Sequence, residues 1–152
     1  SEKALYLLAK SLQQNSNSGQ AIEEFKKLTN AKNTEYASEA QYTLAEIQYN
    51  NKNLEESEKI ILEITSNPSS EYWLAKAFIL WADIFKQRGN KIQAKQTLQS
   101  IIENYEGDES IIKLAQDKLD EINNKQTQEQ KLQEQKLQEQ KEAVDEITIE
   151  NK

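Results

Sequence analysis

The chain is 152 residues long, with 19 Lys and Arg against 26 Asp and Glu, a formal net charge of −7, and no His or Cys. An acidic balance leaves no basic face for phosphates, so nucleic acid is not an expected partner. Without imidazole or thiol there is no His or Cys nucleophile or base, no disulfide and no ordinary zinc site. Three Gly and one Pro speak against an all-β chain, and a mean hydropathy of −0.90 with only short apolar runs predicts no transmembrane segment.

In chain order, Leu5, Leu8 and Leu12, with Tyr6 and Ala9, recur at steps of three and four and predict a helix already under way at the first residues. That abrupt start reads as a fragment or processed product, and the lack of Cys fits either a periplasmic or a cytoplasmic address. Breakers at 15–19 lead to a second helix carrying Ala21, Phe25 and Leu28. Breakers at 30–33 and 50–53 bracket a third helix with Leu44 and Ala45, and a fourth follows with Ser57, Ile61 and Ile64. After Asn67-Pro68, Ser69 or Ser70 caps a fifth helix whose first turn holds Glu71. Its stripe of Leu74, Ala77, Phe78, Trp81 and Phe85 is predicted as core, with Trp73 the more exposed Trp. Gly89-Asn90 starts a sixth helix with Ala94, Leu98 and Ile101, and Asp108 caps a seventh carrying Ile111, Ala115, Leu119 and Ile122.

Composition changes near residue 124. Residues 124–152 are rich in Gln, Glu and Lys and poor in apolar side chains, and Lys131-Leu132-Gln133-Glu134-Gln135 recurs at once as residues 136–140. A five-residue step does not stack Leu132 on Leu137, so no coiled-coil seam forms. The residues favour helix but have little to bury, which predicts a tail that is mobile or helical by extension; a defined partner-binding helix is the other reading.

Small residues reveal an internal repeat. Ala9 and Ala21, Ala45 and Ser57, and Ala82 and Ala94 each lie 12 residues apart, followed in register by Phe25, Ile61 and Leu98. Asn17, Asn53 and Asn90 stand four residues before each second small residue, where a left-handed backbone is expected to turn the chain. This pattern resembles the tetratricopeptide repeat family, carried by Leu8-Ala9, Leu44-Ala45 and Trp81-Ala82 and by Ala21/Phe25, Ser57/Ile61 and Ala94/Leu98. The resemblance implies an all-α, right-handed α-solenoid over residues 1–123, with units of about 1–36, 37–73 and 74–108 and a capping helix at 109–123. Unit two departs from the family at Gln41, Gln48 and Ser57, which implies looser packing there. The bacterial chains it is most similar to are envelope-associated repeat proteins, which favours the cell envelope or periplasm over the cytoplasm.

No catalytic constellation stands out. Carboxylate pairs such as Glu23/Glu24, Glu55/Glu56 and Asp120/Glu121 are sequence neighbours that point apart on a helix. No loop has hard-cation ligand spacing, and Gly19, Gly89 and Gly107 make no phosphate loop. The chain is therefore read as no enzyme, with no cofactor and no metal.

In the family it resembles, the first helix of each hairpin lines a concave groove that holds a peptide or helix. That face here projects Tyr6 and Lys10, then Glu39, Tyr42, Glu46 and Tyr49, then Lys76, Ile79, Asp83 and Lys86. Tyr offers contact area with few rotors, and carboxylates favour a cation, so the expected ligand is a protein or peptide with apolar side chains and at least one Lys or Arg. Tyr6, Tyr42 and Ile79 occupy the position where family members that clamp a C-terminal carboxylate use Lys, so that ligand is not expected. The competing expectation is a structural C-terminal segment of a longer repeat protein with no ligand of its own.

Overall fold

A computed structural model describes residues 1–152 and shows an all-α chain with no strand. Its seven helices are α1 (Glu2–Gln14), α2 (Ser18–Leu28), α3 (Thr34–Asn50), α4 (Leu54–Ser66), α5 (Glu71–Gln87), α6 (Lys91–Asn104) and α7 (Glu109–Glu150). Several begin on side-chain caps that satisfy otherwise unpaired backbone donors. Ser1 accepts from the Ala4 N–H, and Asn33 accepts from those of Glu35 and Tyr36. Of the two serines before α5, Ser70 is the cap; the Ser69 hydroxyl instead bonds that of Ser38 at 2.8 Å. The Asp108 carboxylate accepts the Ser110 N–H at 2.9 Å, and hydrogen bonds from Ser110 hold its carboxyl below the usual range.

The turns within α1–α2, α3–α4 and α5–α6 are one structure built three times. Ser16, Lys52 and Gly89 take φ of 61°, 67° and 79°. The N–H groups of these three residues bond the carbonyls of Gln13, Tyr49 and Lys86. The next N–H groups, of Asn17, Asn53 and Asn90, bond those of Leu12, Gln48 and Phe85. This paired closure is the Schellman motif. The left-handed residue is therefore the one before each Asn, which corrects the sequence expectation. Each Asn, at φ near −90°, is instead the N-cap of the next helix.

Beyond each turn the helices meet at small residues. Ala9, Ala21, Ala45, Ser57 and Ala94 are 0% exposed and Ala82 is 1%. The hydroxyl that replaces a methyl in the second pair is satisfied: Ser57 Oγ donates to the Ala45 carbonyl at 2.7 Å. Each helix from α1 to α6 packs on the next, and α3 also packs on α5. One core cluster joins Ala9, Phe25 and Leu28 to Ala40 and Leu44; a second joins Ala45, Ile61 and Ile64 to Ala77, Leu80 and Ile84.

The chain divides into two compact units, Ser1–Gln116 and Asp117–Lys152, with the boundary inside α7. Ile111 and Ala115 are buried in the first unit. In the second, Leu119 and Ile122 are buried, and beyond residue 122 every residue but Gln126 is exposed. The tail is thus helical to Glu150, continuous with the helix before it. Good helix formers and local pairs support it, among them Gln138 to Glu142 at 3.0 Å and Gln135 to Glu139 at 3.4 Å.

Candidate functional site

The face predicted from sequence lies on α1, α3 and α5, all in the first unit, and side chains link the three helices. Glu39 is its hub: it accepts the Tyr6 hydroxyl and the Lys10 ammonium, each at 2.9 Å. Tyr6 stacks on Tyr36, with centroids 4.6 Å apart, and Lys10 Nζ lies 5.9 Å from the Tyr6 ring. Tyr42 donates to Glu46 at 2.9 Å, packs on Trp73 at 5.3 Å and carries Lys76 Nζ 5.1 Å above its ring. Trp73 in turn donates to Glu35 at 3.0 Å. Burial and the bond to Glu39 push the Tyr6 hydroxyl up to about 12. Burial, with Glu46 beside it, pushes that of Tyr42 up as well.

Two of the predicted surface residues are not surface. Ile79 is 2% exposed and Tyr42 7%, the latter with its ring in the second core cluster. Helical projection points them outward, but packing between helices buries them: α3 packs directly on α5, and Tyr42 sits in one cluster with Ala77, Leu80 and Ile84. Tyr6, Glu39, Glu46, Tyr49, Asp83 and Lys86 remain half-buried. The carboxylates also serve differently from the expectation, since Glu39 and Glu46 already hold groups of the chain itself. Sequence reasoning missed Tyr36, Glu35 and Trp73 as members of this face. Tyr36 stands three residues before Glu39, so extending the stripe by one turn finds it. A further tie, from Glu2 to the Lys32 and Asn33 N–H groups at 2.6 and 3.1 Å, had no local signal. Those two bonds hold its carboxyl below the usual range.

The aromatic stripe of α5 is not simply core either. Phe78, Trp81 and Phe85 are half-buried and line a cavity of about 700 Å³ between α5 and α6. Their ring planes lie within 20° of parallel, with centroids 6.1 and 5.5 Å apart. The Trp81 indole donates to Glu58 of α4 at 3.0 Å, and Arg88 holds the same carboxylate at 2.6 Å.

No group of three or more Asp or Glu side chains converges as a metal site. No helix is long and apolar enough to cross a membrane. Compared with known proteins, the chain matches no family model and no curated protein.

Proposed function

We propose that this chain is a non-catalytic protein-interaction scaffold of the tetratricopeptide type, a right-handed solenoid of three helix hairpins and a closing helix. Its ligand is an extended peptide or a helix held on the face shared by α1, α3 and α5. The observation that carries this reading is the continuity of that face: aromatic and charged side chains run from Tyr6 through Glu39 and Tyr42 to Lys76 across three separate helices. The threefold recurrence of one turn and one small-residue contact supports the repeat architecture. Because Tyr42 and Ile79 are buried, the more accessible anchors are Tyr36 and Tyr49, and Glu46, Asp83 and Lys86 are the half-buried charges of the same predicted face.

One observation favours the second reading, a structural segment without a ligand. Tyr6, Lys10, Glu39, Tyr42 and Glu46 satisfy one another, and a face that closes on itself needs no partner. Capture from the native extract separates the two, using the full chain, Tyr36→Ala, Tyr49→Ala and Glu46→Gln after circular dichroism shows equal helicity. A binding face loses its partners with either Tyr variant, each worth roughly 2 kcal/mol as an anchor, and keeps most of them with Glu46→Gln. Identical recovery by all four chains leaves the structural reading.

A further inference from the structure

The cavity between α5 and α6 lies apart from the face just described and has its own chemistry. Its floor is the near-parallel set Phe78, Trp81 and Phe85, and one wall is the uncharged polar side of α6, with Thr97 and Ser100. Of its lining residues only Glu71 and Glu106 are charged, and both are carboxylates. Glu71 opens α5 and Glu106 follows α6, so the two acids stand at the same end of the helix pair.

From Glu71 to Phe85 the groove follows α5 for about 21 Å, close to four helical turns. A floor of three rings along one helix, an uncharged wall and an acidic mouth match one kind of occupant. We propose that this groove binds an amphipathic helix of another protein, which lays apolar side chains on Phe78, Trp81 and Phe85 and sets a Lys or Arg against Glu71 and Glu106. Apolar anchors spaced i, i+4 and i+7 fit a groove of this length, and a cation also gains from the ring faces. Charge disfavours the apolar end of a second copy's tail, where Lys141 and Lys152 are outnumbered by carboxylates. Val144 and Ile147 are flanked by Glu142, Asp145, Glu146 and Glu150, with no Lys or Arg from 142 to 150. Those carboxylates would meet Glu71 and Glu106 as like charges.

The experiment uses the full chain and two labelled synthetic helices of about 16 residues, each with Leu at i, i+4, i+7 and i+11. One is flanked by Lys and the other by Glu, and binding is read by fluorescence anisotropy. The Lys-flanked helix is expected to bind at least about tenfold more tightly than the Glu-flanked one. Ser100→Trp, an exposed α6 position that fills the groove without cutting into the core, is expected to weaken it at least about tenfold with the melting temperature unchanged. Glu71→Gln with Glu106→Gln is expected to erase the preference for Lys. Tyr49→Ala, on the α3 face, is expected to leave this binding intact, which separates a failure here from a failure of the proposed scaffold face. No binding of the Lys-flanked helix to wild type, or equal binding to Ser100→Trp, overturns the proposal. So does concentration-dependent self-association of wild type that Ser100→Trp abolishes, because the occupant is then a second copy.

Discussion

The stretch from α1 to α6 and the last two-thirds of α7 are both helical, for opposite reasons. In the first, each helix is short, and its apolar stripe disappears between neighbours: Phe25, Leu28, Ile61, Ile84 and Leu98 are all at most 1% exposed. In the tail, Leu132, Leu137, Val144, Ile147 and Ile149 are all more than half exposed, and nothing is buried beyond residue 122. One region is held by tertiary burial, the other by propensity and neighbours along a single helix. Secondary structure alone therefore says little about where stability resides.

The strongest way to break that contrast is at the most enclosed aromatic. Phe25→Ala should lose about 3–5 kcal/mol in denaturant titration, from lost burial and the cavity left behind; a loss below about 1 kcal/mol would mean that the first pair is not held by its core. A smaller effect sharpens it at the turns. Gly89→Ala has open space for a methyl group but must keep a φ of 79°, so it should cost about 1–2 kcal/mol. Lys52→Gly, at the equivalent turn, should instead stabilise by about 0.5–1 kcal/mol. Opposite signs from these two matching positions would show that the two turns are one design.

Alkali should act on the body through its tyrosines. Tyr6 titrates at about 12 when folded and near 10 when unfolded, so above pH 10 the unfolded chain binds fewer protons and stability falls. Its contribution is fully present below pH 10 and is lost as pH rises through 12, in the same direction as that of Tyr42. Melting temperatures from pH 9 to 12 should decline, and Tyr6→Phe should decline less steeply. The smallest effect belongs to the tail: Leu132→Ala with Leu137→Ala should shift the main unfolding transition by less than about 0.5 kcal/mol. A larger shift would show that those leucines are covered in solution.

Much of the body was legible because its signals are local. Periodicity and breakers mark out the seven helices, and the 12-residue spacing of small residues finds the contacts within each pair. What was not legible depends on packing between pairs. Ile79 and Tyr42 lie on the helix side that a lone helix would show to water, and packing between helices buries both, Tyr42 in a cluster with Ala77, Leu80 and Ile84 of α5. Conversely, Phe78 and Phe85 carry the spacing of core residues but border a cavity, because periodicity counts apolar positions and not the neighbours available to cover them. The turn misassignment has a local cause. Asn suits both the left-handed region and the residue before a helix, and Asn17, Asn53 and Asn90 take the second place, with a side-chain cap bond made only by Asn90, from the Gln93 N–H.

The two tryptophans have a consequence for how this molecule is observed. Both belong to α5, and their indole N–H groups end on Glu35 of α3 and Glu58 of α4, so all indole emission comes from the junction of the second and third pairs. Far-ultraviolet dichroism, by contrast, weights every helical residue alike, and the longest single contribution is the 42-residue α7. Melting α1 and α2 would pass unseen in fluorescence, and fraying of the tail would dominate dichroism without moving the indole signal. Two spectrometers trained on one tube would thus record different curves, each faithful to its own part of the chain.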